Sequence, residues 1–226
     1  MSVDATISAG SERLALGHSD PNFSHPGLSH PGLSHPGYPP RKRWTRAECQ
    51  MLESTGLWEQ QHLELIEGDL IDKMGKNRPH VNVTILLMEW LVGVFGARQV
   101  TQEAPIDVSA EDNPTSEPEP DLAVLAQPCL VYEDANPGPS DVRLIVEISD
   151  TTLAFDRRIK ARLYARAAIE EYWVVDVVGR RIVVHREPRD GIYGNVASYG
   201  RGECIEPLSA PGRSFNVDDA FPLGVR

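Results

Sequence analysis

Hydrophobic residues recur at helical spacing in two segments of the chain. Between residues 79 and 95 they are spaced alternately four and three positions apart, the repeat of one helix face: Val81, Ile85, Met88, Val92 and Phe95. Additional leucines make this segment apolar nearly all round, so we expect a central, buried helix. A second helix is expected from about Phe155 to Ala168, with a buried line of residues four apart: Phe155, Ile159, Leu163 and Ala167.

Short apolar runs bounded by turn residues predict the strands. Residues 63 to 72, LELIEGDLID, are expected to form a hairpin that turns at Gly68 and Asp69. EYWVVD and RIVVHR, on either side of Gly179, predict a second hairpin. A further strand is expected at about residues 98 to 108, and short strands with a closing segment are expected from IYGNVASY and FNVDDAF.

Two of the predicted strands carry one carboxylate each. Asp121 opens DLAVLA, and Glu147 interrupts the apolar run of RLIVEIS. A turn-rich stretch from Glu133 to Asp141 joins the two segments and would let them lie side by side. Because an ionised carboxylate is costly to bury without a partner, Glu147 must be paired, bound to a metal or at the wet end of its strand.

The helix that follows carries charged residues beside its apolar line. Asp156, Lys160 and Tyr164 are four residues apart and therefore share one face. Arg158, Arg162 and Arg166 form a second line at the same spacing. This arginine line is either a solvated helix face, the more ordinary interpretation, or a set of phosphate contacts.

Composition limits the classes of protein that fit. The 226 residues carry a net charge of −11, which argues against a simple basic coat for nucleic acid. Residues 101 to 150 hold 12 Asp and Glu against one Arg, whereas residues 151 to 200 hold 9 Lys and Arg against 6 Asp and Glu. An acidic centre that needs cations, beside a basic helix, is compatible with a phosphate backbone as substrate.

The N-terminal repeat predicts the domain boundary, and the cysteines and apolar stretches indicate the cellular environment. SHPGL, SHPGL and SHPGY follow one another from residue 24, so residues 1 to 40 are expected to form a disordered tail before a single domain at 41 to 226. The three cysteines lack CxxC spacing and suggest a reduced, intracellular protein. The apolar stretches are too short to span a bilayer, and no signal peptide is apparent, so we expect a cytoplasmic protein without a membrane partner.

The order of the motifs resembles the Uma2 family of restriction endonucleases, in the PD-(D/E)XK nuclease superfamily. The motifs are ELIEGDL, the helix opened by Pro79 and His80, EPEPDLAVL, LIVEISD and FDRRIKARLYARAAIEEYWVVD, within about residues 44 to 221. The resemblance implies an α/β (α+β) fold. Its core is restriction-endonuclease-like, a mixed central β-sheet flanked by helices, to which this chain adds hairpins.

The resemblance also implies a set of site residues. Asp121 takes the PD position, Glu147 the (D/E) position, and Glu64 and His80 match an early glutamate and a histidine. The expected lysine position holds Ser149, so Lys160 is the candidate for a relocated lysine, and Asp156 is expected to hold Lys160 as an ion pair. Glu64, Asp121, Glu147 and the Ile148 carbonyl are the expected ligands of Mg²⁺ or Mn²⁺.

The leading hypothesis is a Mg²⁺-dependent endonuclease that hydrolyses DNA phosphodiester bonds with metal-activated water. Arg158 and Arg162 are its candidate contacts to the DNA backbone. The alternative is a catalytically silent nuclease-fold module that binds DNA or another protein. A two-carboxylate glycosidase is a weaker third hypothesis, since it leaves Lys160 unexplained and aromatic content is 7%. A homodimer stays open as an assembly.

Overall fold

The computed structural model describes residues 40–56, 62–73 and 75–221. The predicted repeat tail lies outside these residues except at its boundary, so its disorder remains a prediction. The strands are β1 Leu63–Ile66, β2 Asp69–Asp72, β3 Val100–Thr101, β4 Leu122–Leu125, β5 Val142–Ser149, β6 Glu171–Asp176, β7 Arg181–Arg189, β8 Ile192–Tyr199, β9 Cys204–Ile205 and β10 Phe215–Asn216.

The helices are short apart from one. They are α1 Arg46–Glu53, α2 Arg78–Phe95, α3 Leu153–Phe155, a π-helical turn at Asp156–Lys160, α4 Ala161–Arg166 and α5 Val217–Ala220. Single 3-10 turns occur at Asn113–Thr115, Cys129–Val131 and Pro139–Asp141. Thr45 caps α1 with its side chain, and the Glu48 side chain returns to the Thr45 backbone, which completes a capping box.

The fold is α+β, with a mixed six-stranded sheet flanked by helices, which confirms the expected fold class. The strand order is β3-β4-β5-β6-β7-β8. Only the β5–β6 pair of this sheet is parallel, and α3, the π turn and α4 form the crossover that a parallel pair requires. The predicted hairpins are present as β1–β2 and β6–β7.

The two faces of the sheet bury different helices. On one face α2 packs its Leu87 and Leu91 against Val146 and Trp173. On the other face α4 packs Leu163 and Tyr164 against Ile145 and Tyr172. Side chains alternate along β5, so the odd-numbered positions, including Glu147, point toward the face covered by α4.

Helix α2 lies on the sheet rather than at the centre of the molecule, so the predicted central position is wrong. Its buried residues are Val83, Thr84, Leu87 and Leu91, while Ile85 is 56% exposed. The segment is apolar nearly all round, so its periodicity could not identify the face that the sheet covers. No helix in the described part of the chain is long and apolar enough to cross a membrane.

The strand expected at about residues 98 to 108 is mostly absent, and β3 contains only Val100 and Thr101. Beyond β3 the chain turns at Glu103, whose φ is 49°, and Pro105 then follows. A proline has no N–H to extend the ladder. The next residues pair with loops, since the Ile106 amide donates to Pro118 and the Asp107 amide to Pro137.

The expected apolar line of the second helix packs against one core cluster, with Leu163 and Ala167 buried and Phe155 and Ile159 partly buried. Phe155 and Ile159 are half-buried, whereas Asp156 and Lys160 are 3% exposed. The Ala161 amide donates to the Asp156 carbonyl, five residues back, in the π turn. The π turn adds a residue to one helical turn, yet Lys160 and Tyr164, four residues apart, both reach Glu147.

Leu87→Ala should reduce the free energy of unfolding by about 2–5 kcal/mol, because it opens a cavity between α2 and the sheet. Ile85→Ala, two residues away on the same helix, should change it by less than about 0.5 kcal/mol. Urea unfolding followed by tryptophan fluorescence measures both values. Equal losses in the two variants would contradict the observed packing face.

Candidate active site

Register places Asp121 and Glu147 opposite one another. Leu122 pairs with Val146 in the antiparallel β4–β5 ladder, so the next positions along the two chains are Asp121 and Glu147. Directly opposed residues point to the same face of a sheet. Their side chains are 8% and 5% exposed. The two carboxylates therefore lie side by side at the end of the ladder, as the sequence predicted for their strands.

Pro120 explains why this ladder stops beside Glu147. Continuing the register puts Pro120 opposite Ile148, and a proline has no N–H to donate to the Ile148 carbonyl. The Ile148 amide instead donates to Asp121 Oδ2 at 2.8 Å. The N–H and C=O of one strand residue point the same way, so the Ile148 carbonyl faces the β4 side of β5.

Lys160 joins two of the predicted carboxylates. Its Nζ donates to Glu147 Oε1 at 2.9 Å and lies 2.9 Å from Glu64 Oε1. Glu64 reaches this position because its neighbour Leu65 forms a bridge with Glu117, in the segment leading to β4. The Tyr164 hydroxyl also donates to Glu147 Oε1, at 2.9 Å. Lys160 is thus a buried lysine held between two strand carboxylates.

Asp156 does not hold Lys160, so the predicted ion pair between them is wrong. Asp156 Oδ2 accepts hydrogen bonds from Ser149 Oγ at 2.7 Å and from Thr152 Oγ1 at 2.6 Å. Ser149 is the residue at which the sequence resemblance led us to expect a lysine, and its hydroxyl attaches the helical segment to the end of β5. This attachment turns the π turn toward the sheet and directs Lys160 at Glu147.

Asp121 has a different set of neighbours. Lys76 Nζ donates to Asp121 Oδ1 at 3.0 Å, and His80 Nε2 lies 3.4 Å from the same oxygen. Burial alone would raise the pKa of Asp121, but its contacts with His80, Lys76 and the Ile148 amide outweigh burial and hold that pKa well below its usual range. Asp121 is therefore ionised at neutral pH.

The pKa values of Glu147 and Lys160 are both raised by the neighbouring carboxylates. Burial raises the pKa of Glu147 to about 8, with Asp121, Asp156 and Glu64 adding to the rise and Lys160 opposing it. Burial would lower the pKa of Lys160, but Glu147, Glu64 and Asp156 hold it above its usual range. Lys160 thus keeps its charge, and the carboxylate cluster keeps a proton.

The donor set fits a divalent cation. Four carboxylates are buried here, and two lysine ammonium groups contact them: Glu64, Asp121, Glu147 and Asp156 against Lys76 and Lys160. Carboxylate and carbonyl oxygens are the ligands that Mg²⁺ prefers. Within the described residues no three acidic, histidine or cysteine side chains already form an ion cage. In this arrangement lysine nitrogens lie beside the carboxylates.

The predicted arginine line lies on the outer side of the helical segment. Arg158 and Arg162 are exposed on the π turn and α4. Arg166, the third arginine of the predicted line, forms ion pairs with Glu67 at 2.6 Å and Asp112 at 2.8 Å. Arg166 therefore fastens α4 to the loops before β4, while the roles of Arg158 and Arg162 in binding substrate remain predictions.

Sequence reasoning missed Lys76 and Glu103, which form an ion pair with each other at the edge of the site. Lys76 lies in the loop before α2, and Glu103 follows β3. Neither residue belongs to a periodic pattern or a motif, and only the folded chain brings them to Asp121. Tyr164 did have a signal, its position four residues after Lys160.

A family model described as "Putative restriction endonuclease", that of Uma2, matches residues 50–218. This chain belongs to the Uma2 family. No curated protein matches it.

A solved structure supports the fold. It is titled as the crystal structure of "a putative nuclease belonging to DUF820" from Anabaena variabilis. The match has a TM-score of 0.54 and 14% sequence identity, and it covers 72% of this chain and 90% of the other. At this identity the likeness establishes a shared architecture.

The contribution of Glu147 to the free energy of unfolding should fall as pH rises from 5 to 8. Between the ordinary pKa of 4.5 and about 8, the folded protein holds a proton on Glu147 that the unfolded chain has released. Glu147→Gln, a neutral mimic of the protonated form, should remove up to ~1.4 kcal/mol per pH unit of this dependence. Urea unfolding across this interval measures it.

Glu89→Gln, at an exposed position of α2, is the matched control and should keep the wild-type slope. Parallel stability curves for wild type and Glu147→Gln would contradict a proton held on Glu147.

Proposed function

We propose that this protein is an endonuclease that hydrolyses DNA phosphodiester bonds and requires Mg²⁺ or Mn²⁺. The observation that carries the proposal is Glu147, which lies opposite Asp121 on the neighbouring strand and accepts a hydrogen bond from buried Lys160. Membership of the Uma2 family supports a nuclease. DNA as substrate and the metal requirement are the additional content of the proposal.

Asp121, Glu147 and the Ile148 carbonyl would hold the cation, with Glu64 as a further carboxylate at the same end of the sheet. When bound, the cation would lower the pKa of a water nucleophile and neutralise charge that develops on the phosphate. Asp121 is already ionised, whereas Glu147 has to lose its proton to become a ligand. Tyr164 and Lys160 both hold Glu147 Oε1, which fixes the carboxylate in place.

Lys160 acts as a cation rather than as a base in this proposal. Glu147 and Glu64 hold its pKa above the usual range, so the ammonium has no free electron pair at neutral pH. A fixed ammonium beside the metal ligands can orient a water molecule and stabilise negative charge in the transition state. Its attachment through the Ser149–Asp156 hydrogen bond supplies the rigidity that this role needs.

Arg158 and Arg162 are the proposed contacts to the phosphate backbone. Both are exposed on the helical segment that also carries Lys160. Positive side chains on that segment would hold a polyanion against an otherwise acidic end of the sheet. His80 lies beside Asp121 and is proposed to orient this carboxylate.

Purified protein should nick supercoiled plasmid with Mg²⁺ or Mn²⁺ and lose this activity in excess chelator. Lys160→Gln should lower the cleavage rate by about two orders of magnitude or more, the usual cost of removing one electrostatic stabiliser. Gel analysis of cleavage over time measures both effects, with circular dichroism to verify folding. Lys42→Gln is the control, because Lys42 pairs with Glu48 at the surface.

The outcomes separate the parts of the proposal. Full activity in Lys160→Gln would exclude the relocated lysine, and cleavage in chelator would exclude the metal requirement. Wild-type protein that binds DNA without cleaving it under either metal would instead support the catalytically silent module.

A further inference from the structure

Lys76 is the second lysine of the carboxylate cluster, and the proposed reaction leaves it without a role. Its Nζ lies 3.0 Å from Asp121 Oδ1 and also forms an ion pair with Glu103. Lys76 directly precedes Asn77, whose side chain caps α2 and donates a hydrogen bond to Asp150. The loop before α2 is thus fastened across the end of β4 and β5, with Lys76 directed at a proposed metal ligand.

The two lysines are held very differently. The side chain of Lys160 is 4% exposed, and both of its partners belong to strands. Lys76 reaches Asp121 from a loop, its side chain is 24% exposed, and its second partner Glu103 is 40% exposed. Lys160 is therefore a fixed part of the cluster. The Lys76 ammonium, in contrast, can leave Asp121 for solvent and remain paired with Glu103.

Charge explains why an ammonium is present at Asp121. A buried, ionised carboxylate needs a partner, and Lys76 supplies one to Asp121 as Lys160 does to Glu147. A divalent cation bound to Asp121 would meet the Lys76 ammonium at the distance of a direct contact. Like charges this close repel strongly in a partly buried environment, so the two cations compete for Asp121.

We propose that Lys76 is an exchangeable counter-ion of Asp121. Its ammonium neutralises the carboxylate before the divalent cation binds, and the cation displaces it toward Glu103. This inference rests on the proposed function, in which Asp121 is a metal ligand. Lys76 thereby sets the metal concentration that is needed to occupy the site. It also keeps Asp121 paired before the metal binds.

Metal affinity tests the exchange without any cleavage. Isothermal titration of Mn²⁺ into the full chain, in the absence of nucleic acid, should give a dissociation constant about tenfold lower or more for Lys76→Met, since a competing charge is gone. Lys76→Arg keeps the charge and should stay within about threefold of wild type. Lys73→Met is the matched control, because Lys73 lies in the same loop region and pairs with Glu119.

The outcomes distinguish this inference from the proposed function. If wild type binds Mn²⁺ and Lys76→Met binds it with the same or a higher dissociation constant, the exchange is overturned. The proposed metal site is not affected by that result. The absence of Mn²⁺ binding in wild type and in every variant would overturn both. If Lys76→Met does not fold, Lys76→Gln takes its place, and the same tenfold gain is expected.

Discussion

The burial of an excess of carboxylates at one end of the sheet is the constraint on which the site depends. Glu147 is fully enclosed among other acids, and an unpaired ionised group there would be strongly destabilising. Lys160 neutralises part of this negative charge, and a proton on the cluster neutralises more of it. In the proposed function a divalent cation would replace that proton and neutralise the remaining negative charge of the cluster.

Two local features bring Lys160 to this position. The parallel pairing of β5 with β6 requires a crossover, and this crossover leaves β5 directly after Glu147 and Ser149. Ser149 then fixes Asp156, and the π turn from Asp156 to Lys160 turns both charged side chains inward. Ser149, two residues after Glu147, thus anchors the helical segment that places the Lys160 ammonium against Glu147.

The sequence predicted the parts of the fold that local patterns determine. The β1–β2 and β6–β7 hairpins, both long helical segments and the pairing of the two carboxylate strands follow from alternation, turn residues and periodicity. The buried face of α2 did not, since a segment apolar nearly all round has no preferred face. The Asp156–Lys160 pair was wrong because spacing assumes a regular α-helix, and Lys76 was invisible because tertiary structure alone brings its loop to Asp121.

The proposed function requires a cation at the end of the β4–β5 ladder. Crystals soaked in Mn²⁺ and measured at its absorption edge would locate that cation by its anomalous scattering. We expect a peak within ligand distance of Asp121, Glu147 and the Ile148 carbonyl, with Lys76 turned away from Asp121 and Lys160 still against Glu147. An ordered site without such a peak, with Lys76 still bound to Asp121 at saturating Mn²⁺, would contradict it.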